Sequence, residues 1–295
     1  MIVIKLKGGL GNQMFQYAFG RQVAELARDE LFLDRSYFRK NGLRRLIKNT
    51  LKMGLALLFL RPGQAWQEIR RNRRQYDLGC FELDNRTKES EFPKLRTIEE
   101  GRAFIFDSSL FNHSGDRAYD GYFNSEKYFS AIASAIRADF RLKPEYRKSL
   151  PAGLLDQING ANSVSLHVRR GDYITRASTN RYHGACHPDY YRRAIEEMEK
   201  RVSDPKWFIF SDDIEWCRKN LPLPPSAIFV SGLKNYADLA LMSLCRHHVI
   251  ANSTFSWWGA WLNPNPDKIV IAPRHWLNDQ NIKTTDLLPS AWLKI

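Results

Sequence analysis

A short apolar strand runs directly into a cluster of charged side chains near the middle of the chain. Within residues 162–168 an apolar residue occupies every second position from Val164 to Val168, and Arg169, Arg170, Gly171 and Asp172 follow them. In open α/β sheets, ligands bind at the carboxyl ends of the strands. A guanidinium donates paired, charge-assisted hydrogen bonds that match the oxygens of a phosphate. The segment therefore predicts a phosphate-handling enzyme site at this strand end.

A second polar cluster follows the apolar residues 206–210 and contains Asp212 and Asp213. The carboxylate of Asp212 can accept hydrogen bonds from the paired N–H groups of a guanine edge or from ribose hydroxyls. The alternative is that Asp212 or Asp213 caps the helix that begins near Ile214. The sequence alone leaves both interpretations open.

A third cluster follows residues 248–251 and includes Ser253, Thr254 and Phe255. Small hydroxyl residues at a strand-to-helix turn offer side-chain and backbone donors to a diphosphate. The aromatic residues behind this turn suit either a platform for a sugar ring or the packed core, and the core is the commoner use. They are Trp257, Trp258 and Trp261.

The elements that must position these clusters alternate between strand and helix. Strands are predicted at 1–7, 162–168, 206–210, 227–230, 248–251 and 268–272, and helices at 12–28, 188–202, 213–220 and 235–245. Such alternation favours a parallel sheet wrapped by helices. A change of pattern between residues 126 and 153 predicts two domains, residues 1–150 and 151–295.

The charge balance points to an anionic partner. The formal net charge is +13, and eleven Lys and Arg residues lie between positions 39 and 74 against one acid. The stretch also contains the mostly apolar residues 51–60. It is interpreted as a helix packed on its own domain, with peripheral contact to anionic lipid as the alternative. The four cysteines show no CxxC pairing, the N-terminus resembles a strand rather than a signal peptide, and a cytoplasmic location follows. No Asp-x-Asp occurs, which favours charge neutralisation by arginine over a metal ion.

Several segments together resemble one enzyme family. The four that carry the likeness are Gly8-Gly9-Leu10-Gly11-Asn12-Gln13, His167-Val168-Arg169-Arg170-Gly171-Asp172-Tyr173, Phe210-Ser211-Asp212-Asp213 and Asn252-Ser253-Thr254-Phe255-Ser256-Trp257-Trp258-Gly259. In this order the chain resembles the bacterial α-1,2-fucosyltransferases of glycosyltransferase family 11. The likeness covers nearly the whole chain except residues 35–115.

The resemblance implies an α/β, GT-B-like fold with two Rossmann-type domains facing a cleft. The first domain would bind the acceptor and the second the donor, GDP-fucose. Fucose would pass, with inversion and without a metal or other cofactor, to the 2-hydroxyl of a β-galactoside in O-antigen or another surface polysaccharide. A lipid-linked acceptor at the inner face of the plasma membrane would give the basic stretch a purpose.

The same resemblance assigns roles to single residues. Arg169 would hold the β-phosphate, His167 would line the nucleotide pocket, Asp212 would contact the guanosine, and Ser253, Thr254 and Phe255 would complete the diphosphate site. Arg170 and Gly11 are assigned to the donor site with them, while Asn12 and Gln13 would face the reaction centre. The mechanism, rather than the resemblance, suggests a general base, because inversion by direct displacement benefits from a group that accepts the proton of the acceptor hydroxyl. Asp172, which follows the arginines, is the candidate, although its arginine neighbours would also suit a structural ion partner.

Three other functions compete with this assignment. The first is a transferase of another nucleotide sugar or another fucosyl linkage. The second is a basic nucleic-acid-binding protein, which the high charge permits but which no recognisable nucleic-acid module supports. The third is an inactive glycan-binding module, disfavoured because the phosphate-handling residues are all present.

Overall fold

The computed structural model describes residues 1–39, 74–90, 95–175 and 177–295. The chain divides into two compact units. The first comprises Met1–Gly79, Asp84–Ala103 and Asp107–Phe123, and the second comprises Cys80–Leu83, Phe104–Phe106 and Asn124–Ile295. Each unit is described by itself.

The first unit contains a five-stranded parallel sheet. Its strands are β1 (Ile2–Lys5), β2 (Leu31–Asp34), β3 (Lys88–Ser90), β4 (Thr97–Glu99) and β5 (Arg117–Asp120), in the spatial order β3-β2-β1-β5-β4. Strand β1 pairs with β2 on one side and with β5 on the other, so the order of the strands reverses between β1 and β5. The helix Leu10–Ala27 follows β1 and buries most of its residues.

The second unit contains a six-stranded parallel sheet. Its strands are β6 (Asn162–Val168), β7 (Pro205–Ser211), β8 (Ile228–Val230), β9 (His247–Val249), β10 (Val270–Ala272) and β11 (Leu293–Lys294), in the order β11-β10-β9-β6-β7-β8. The order reverses between β6 and β9, which pair directly. The inner strands β6, β7, β9 and β10 are largely buried, because helices cover parallel sheets.

The helices of the second unit connect and cover these strands. Their bounds are Ala133–Asp139, Pro144–Arg147, Ala152–Asn159, Gly171–Thr175, Ala177–Tyr182, Pro188–Glu199, Ile214–Asn220, Asn235–Leu244 and Thr254–Leu262. Single 3-10 turns occur at Leu78–Cys80, Ser108–Phe111, Glu126–Tyr128 and Ser130–Ile132. The predicted α/β class with two parallel, Rossmann-type units is confirmed.

The boundary between the units differs from the predicted division at residue 150. Residues from Asn124 onward group with the second sheet. Phe129 stacks on Trp258 with ring centroids 5.4 Å apart, and Phe140 meets the same indole edge-on at 5.1 Å. These aromatic contacts hold the segment before Pro144 to the second unit. The assignment of the acceptor to one half and of the donor to the other stays a prediction.

The basic stretch at 39–74 falls almost entirely outside the described residues, so the hypothesis of membrane contact is not tested. Across the described ranges, every helix is too short or too polar to cross a bilayer.

Candidate functional site

The two strands at the centre of the second sheet end in the segments that the sequence singled out. Strand β6 ends at Val168 and leads into Arg169, while β9 ends at Val249 and leads through Ala251 into Asn252. Because the strand order reverses between β6 and β9, the loops after these strands lead away in opposite directions. Such a reversal opens the crevice in which doubly wound sheets bind ligands.

Asp212, at the end of β7, organises the turn after β6. One carboxylate oxygen lies 2.8 Å from a terminal guanidinium nitrogen of Arg169, and the other accepts the backbone N–H of Arg170 at 2.9 Å. A Cβ placed on Gly171 would lie 2.5 Å from this carboxylate, so a larger residue there would displace Asp212 from its position. Asp212 therefore pairs with the charged side chain of Arg169 and holds the backbone of the turn after β6. This turn, residues 169–171, is called the arginine turn below. Its predicted contact with guanosine stays a prediction.

The two adjacent arginines have different surroundings. Arg170 stacks its guanidinium 4.0 Å from the centre of the Trp216 ring, and its Nε donates to Asp213 at 3.2 Å. Asp213 also caps the helix Ile214–Asn220 by accepting the N–H of Trp216. The sequence left open which of the two aspartates caps this helix, and the structure shows that it is Asp213. Arg170 is assigned here to holding the turn, and its contact with the donor stays a prediction.

Arg169 keeps part of its guanidinium accessible. The side chain is 29% exposed, and it lies 5.7 Å from the centre of the Tyr173 ring while paired with Asp212. A guanidinium is a planar cation whose N–H groups match two oxygens of a phosphate. Arg169 is therefore placed where it could bind a phosphate, and its predicted contact with the β-phosphate stays a prediction.

His167 lies beneath this edge as a neutral donor or acceptor. The residue is 6% exposed, and its ring lies 5.7 Å from that of Phe255. Burial lowers the pKa of His167 to about 4, against the opposing attraction of Asp212. Its Nδ1 is buried without a hydrogen-bond partner among the described residues. A buried polar atom of this kind is available to a bound ligand.

The helix Thr254–Leu262 points its N-terminus at the same edge. The hydroxyl of Ser253 caps it by accepting the N–H of Phe255 at 3.4 Å. A helix N-terminus of this kind favours the binding of an anion. The three tryptophans that follow are buried, so the interpretation of a core is confirmed and the sugar platform is wrong. At the other helix end, Lys268 donates to the carbonyls of Ala260 and Asn263.

Asn252 is a positioning residue to which sequence reasoning assigned no role. Its amide donates to the carbonyls of His183, Gly184 and Trp276, at 3.0, 2.9 and 3.1 Å respectively. The backbone carbonyl of Asn252 accepts a hydrogen bond from the hydroxyl of Tyr173 at 3.1 Å. Asn252 thus ties three loops to the turn after β9. An asparagine directly after a buried strand was the available signal, but its partners are distant in sequence.

Gly11, Asn12 and Gln13 belong to the first unit, at the start of the helix Leu10–Ala27. Gln13 is fully buried, and its amide donates to the carbonyl of Gln75 at 2.8 Å and accepts the N–H of Asp77 at 2.9 Å. Gln13 therefore joins the start of its helix to residues 75–77 of the same unit by hydrogen bonds. Gly11 is buried, whereas Asn12 is partly accessible. The roles predicted for these residues at the donor site and reaction centre stay predictions.

Asp172 lies in the helix Gly171–Thr175, directly after the arginine turn. Its side chain falls outside the described part of the structure. The general-base assignment accordingly stays a prediction.

Comparison with known proteins decides the family. The model of glycosyl transferase family 11 matches residues 98–295, and an alpha-1,2-colitosyltransferase of Escherichia coli is 32% identical over 100% of this chain and 99% of its own. The chain belongs to glycosyl transferase family 11. It is a glycosyltransferase, and the resemblance found in the sequence is confirmed.

Other relatives support the same family. The O-antigen biosynthesis glycosyltransferase WbnK of Escherichia coli is 30% identical over 98% of this chain and 99% of its own. Among solved structures, the fucosyltransferase NodZ from Bradyrhizobium gives a TM-score of 0.51 at 14% identity, covering 89% of this chain and 92% of NodZ. At that identity the likeness concerns the fold alone, and it agrees with the GT-B-like architecture. The nucleic-acid-binding alternative is set aside.

Two buried histidines of this family 11 enzyme predict how its stability depends on pH. Burial also holds the pKa of His248 well below its ordinary value, and its ring nitrogens contact Ser165 and Asn263. An unfolded histidine takes up a proton near pH 6.5, whereas these two stay neutral in the folded state. The free energy of unfolding should therefore fall as the pH drops below 6.5, by about 1.4 kcal/mol per pH unit for each histidine.

Urea unfolding at pH 7, 6 and 5 measures this slope. We expect His167→Gln and His248→Gln each to lower the slope in this range, while His275→Gln, at an exposed histidine, serves as the control. A slope unchanged in both buried variants would contradict the prediction.

Proposed function

We propose that the protein transfers L-fucose from GDP-fucose to the 2-hydroxyl of a β-galactoside, with inversion and without a metal ion. The observation that carries the proposal is the arrangement at the β6/β9 edge. There Arg169, the N–H groups after Ser253 and the buried Nδ1 of His167 belong to neighbouring segments. This combination offers a nucleoside diphosphate one cation, a helix N-terminus and a neutral hydrogen-bonding group.

The chemistry requires these groups to act on the leaving diphosphate. As the bond between C1 of fucose and the phosphate oxygen breaks, negative charge grows on GDP and positive charge grows on the sugar. Donors that are already in place stabilise the growing charge without reorganisation. Arg169, whose guanidinium is held by Asp212, is such a donor.

The acceptor hydroxyl must lose a proton as it attacks C1. We assign that proton to the carboxylate of Asp172, whose position in the sequence follows the arginine turn. A positioned base contributes a rate factor of about 10² to 10⁴. Attack from the face opposite GDP would invert the configuration at C1.

The relatives support the sugar class and suggest one competing donor. Galactoside alpha-(1,2)-fucosyltransferase 1 of Saimiri sciureus is 26% identical over 86% of this chain, and the bacterial relative at 32% identity transfers colitose. Colitose is fucose without its 3-hydroxyl. The second candidate function is therefore transfer of colitose from its GDP ester.

One incubation tests the proposal directly. The full chain is mixed with GDP-fucose or GDP-colitose, excess EDTA and a panel of β-galactosides, and the products are identified by mass and linkage. We expect a 2-linked fucosyl galactoside at an undiminished rate under chelation, because arginine rather than a metal neutralises the diphosphate. A product only from GDP-colitose would favour the second candidate. Loss of activity in EDTA that Mg²⁺ restores, or no product together with no GDP binding, would contradict the proposal.

We further propose that the acceptor belongs to a bacterial surface polysaccharide, as the name of the WbnK relative suggests. A lipid-linked acceptor would place the reaction at the cytoplasmic face of the membrane.

A further inference from the structure

The first sheet has its own strand-order reversal, at the carboxyl ends of β1 and β5, and polar and aromatic side chains gather there. Lys7 lies two residues beyond β1, while Asp120 ends β5 and Tyr122 follows it. The ammonium of Lys7 donates to Asp120 at 2.6 Å and lies 4.8 Å from the centre of the Tyr122 ring. All three side chains remain partly exposed, at 28%, 30% and 36% respectively.

Two buried or half-buried side chains hold this cluster in place. Gln16, which is fully buried, accepts the N–H of Lys7 at 3.0 Å and donates to the carbonyl of Gly121 at 2.9 Å. Glu100 accepts the N–H groups of Tyr122 and Phe123 at 2.7 and 3.1 Å. The loops after β1, β4 and β5 are therefore fastened to one another within the first unit.

The backbone after β5 adopts an uncommon conformation next to the Lys7–Asp120–Tyr122 cluster. Phe123 has a φ of 52°, an uncommon left-handed value for a bulky residue, and its ring stacks on Phe19 at 4.0 Å. A Cβ on Gly121 would lie 2.5 Å from the Cβ of Glu100, so glycine is required there. Backbone strain that the surrounding packing maintains is concentrated at functional sites. The residue before this left-handed position is Tyr122, whose ring lies 4.8 Å from the ammonium of Lys7.

From this juxtaposition we infer that Lys7, Asp120 and Tyr122 bind a neutral hexopyranose of the acceptor glycan. Sugar hydroxyls both donate and accept, and the pair of an ammonium with only donors and a carboxylate with only acceptors satisfies both needs. The aromatic ring covers the apolar C–H face of the pyranose. The inference rests on the proposed function and adds to it the residues that recognise the acceptor.

Steady-state kinetics test the three residues separately from the donor site. Tyr122→Ala should raise the KM for the β-galactoside by about tenfold or more, whereas Tyr122→Phe should stay close to the wild type. Asp120→Asn should also raise this KM, since it removes a charged acceptor. The KM for the donor should stay within about threefold in every variant. Asp116→Asn, at the opposite end of the same strand, is the matched control because it removes an equivalent surface charge.

The outcomes separate this inference from the proposed function. Suppose that the wild type turns over, but Tyr122→Ala and Asp120→Asn behave like Asp116→Asn or raise only the KM for the donor. The inference is then wrong, while the proposed function stands. If no donor gives turnover, the proposed function fails. Saturation-transfer difference NMR with the same β-galactosides then tests the site. A wild-type signal that Tyr122→Ala lowers at least tenfold supports the inference, and an equal signal or none overturns it.

Discussion

Replacement of Arg169 by alanine should lower kcat by about a hundredfold to a thousandfold while the fold persists. Removing one preorganised donor from a site of developing negative charge costs about 3–4 kcal/mol in the barrier. Arg169 is the partly accessible guanidinium at the β6/β9 edge, and Asp212 holds it in place at 2.8 Å. Its loss removes this charged donor from the leaving diphosphate. Initial rates with GDP-fucose, read alongside GDP affinity, measure the effect.

The accompanying variants separate catalysis from folding. Arg169→Lys should recover only part of the rate, because an ammonium keeps the charge but loses the planar fork that grips two phosphate oxygens. Arg246→Ala is the matched control, since this arginine lies at the amino end of β9 and donates to Asn162. We expect near wild-type turnover from it. Turnover of Arg169→Ala above about a tenth of the wild type would contradict the assignment, as would loss of its cooperative unfolding transition.

The strand ends were predictable from the sequence, because the apolar pattern of a strand and the polar residues that follow it are local signals. Strand β6 has the predicted bounds of 162–168, and Arg169 and Ser253 lie at the predicted edge. The pairing of individual side chains was not predictable in the same way. Asp212 and Asp213 are adjacent in sequence, yet one holds the arginine turn and the other caps a helix.

Long-range hydrogen bonds explain what the sequence missed. Asn252 contacts residues as distant as Tyr173, 79 positions away, and Gln13 contacts Gln75, 62 positions away. No periodicity records such contacts, because they depend on how loops meet after the sheet has formed. For the same reason the sequence did not reveal the Lys7–Asp120–Tyr122 cluster. Its members lie at the ends of β1 and β5, and Lys7 and Asp120 are 113 positions apart. Family resemblance named the donor segments, whereas the topology was needed to reveal this second edge.

The general base is the next test of the mechanism, and Asp172→Asn should lower kcat by about a hundredfold or more. Asparagine has nearly the same shape as aspartate but cannot take the proton of the attacking hydroxyl. GDP affinity should stay unchanged, and the acid limb of the pH profile of kcat/KM should disappear with the carboxylate. Asp189→Asn is the matched control, because Asp189 is an exposed carboxylate in the first turn of the helix Pro188–Glu199.

The opposite pattern would identify Asp172 as an ion partner of the neighbouring arginines. In that case Asp172→Asn would weaken GDP binding and lower the free energy of unfolding, while the acid limb would remain. Retention of more than about a third of kcat would instead favour a loose transition state. In such a transition state the bond to GDP breaks before the acceptor hydroxyl needs a base, and Arg169 would then carry most of the catalytic stabilisation. Measuring both variants in one set of pH profiles therefore decides how the work of catalysis is divided between base and leaving-group stabilisation.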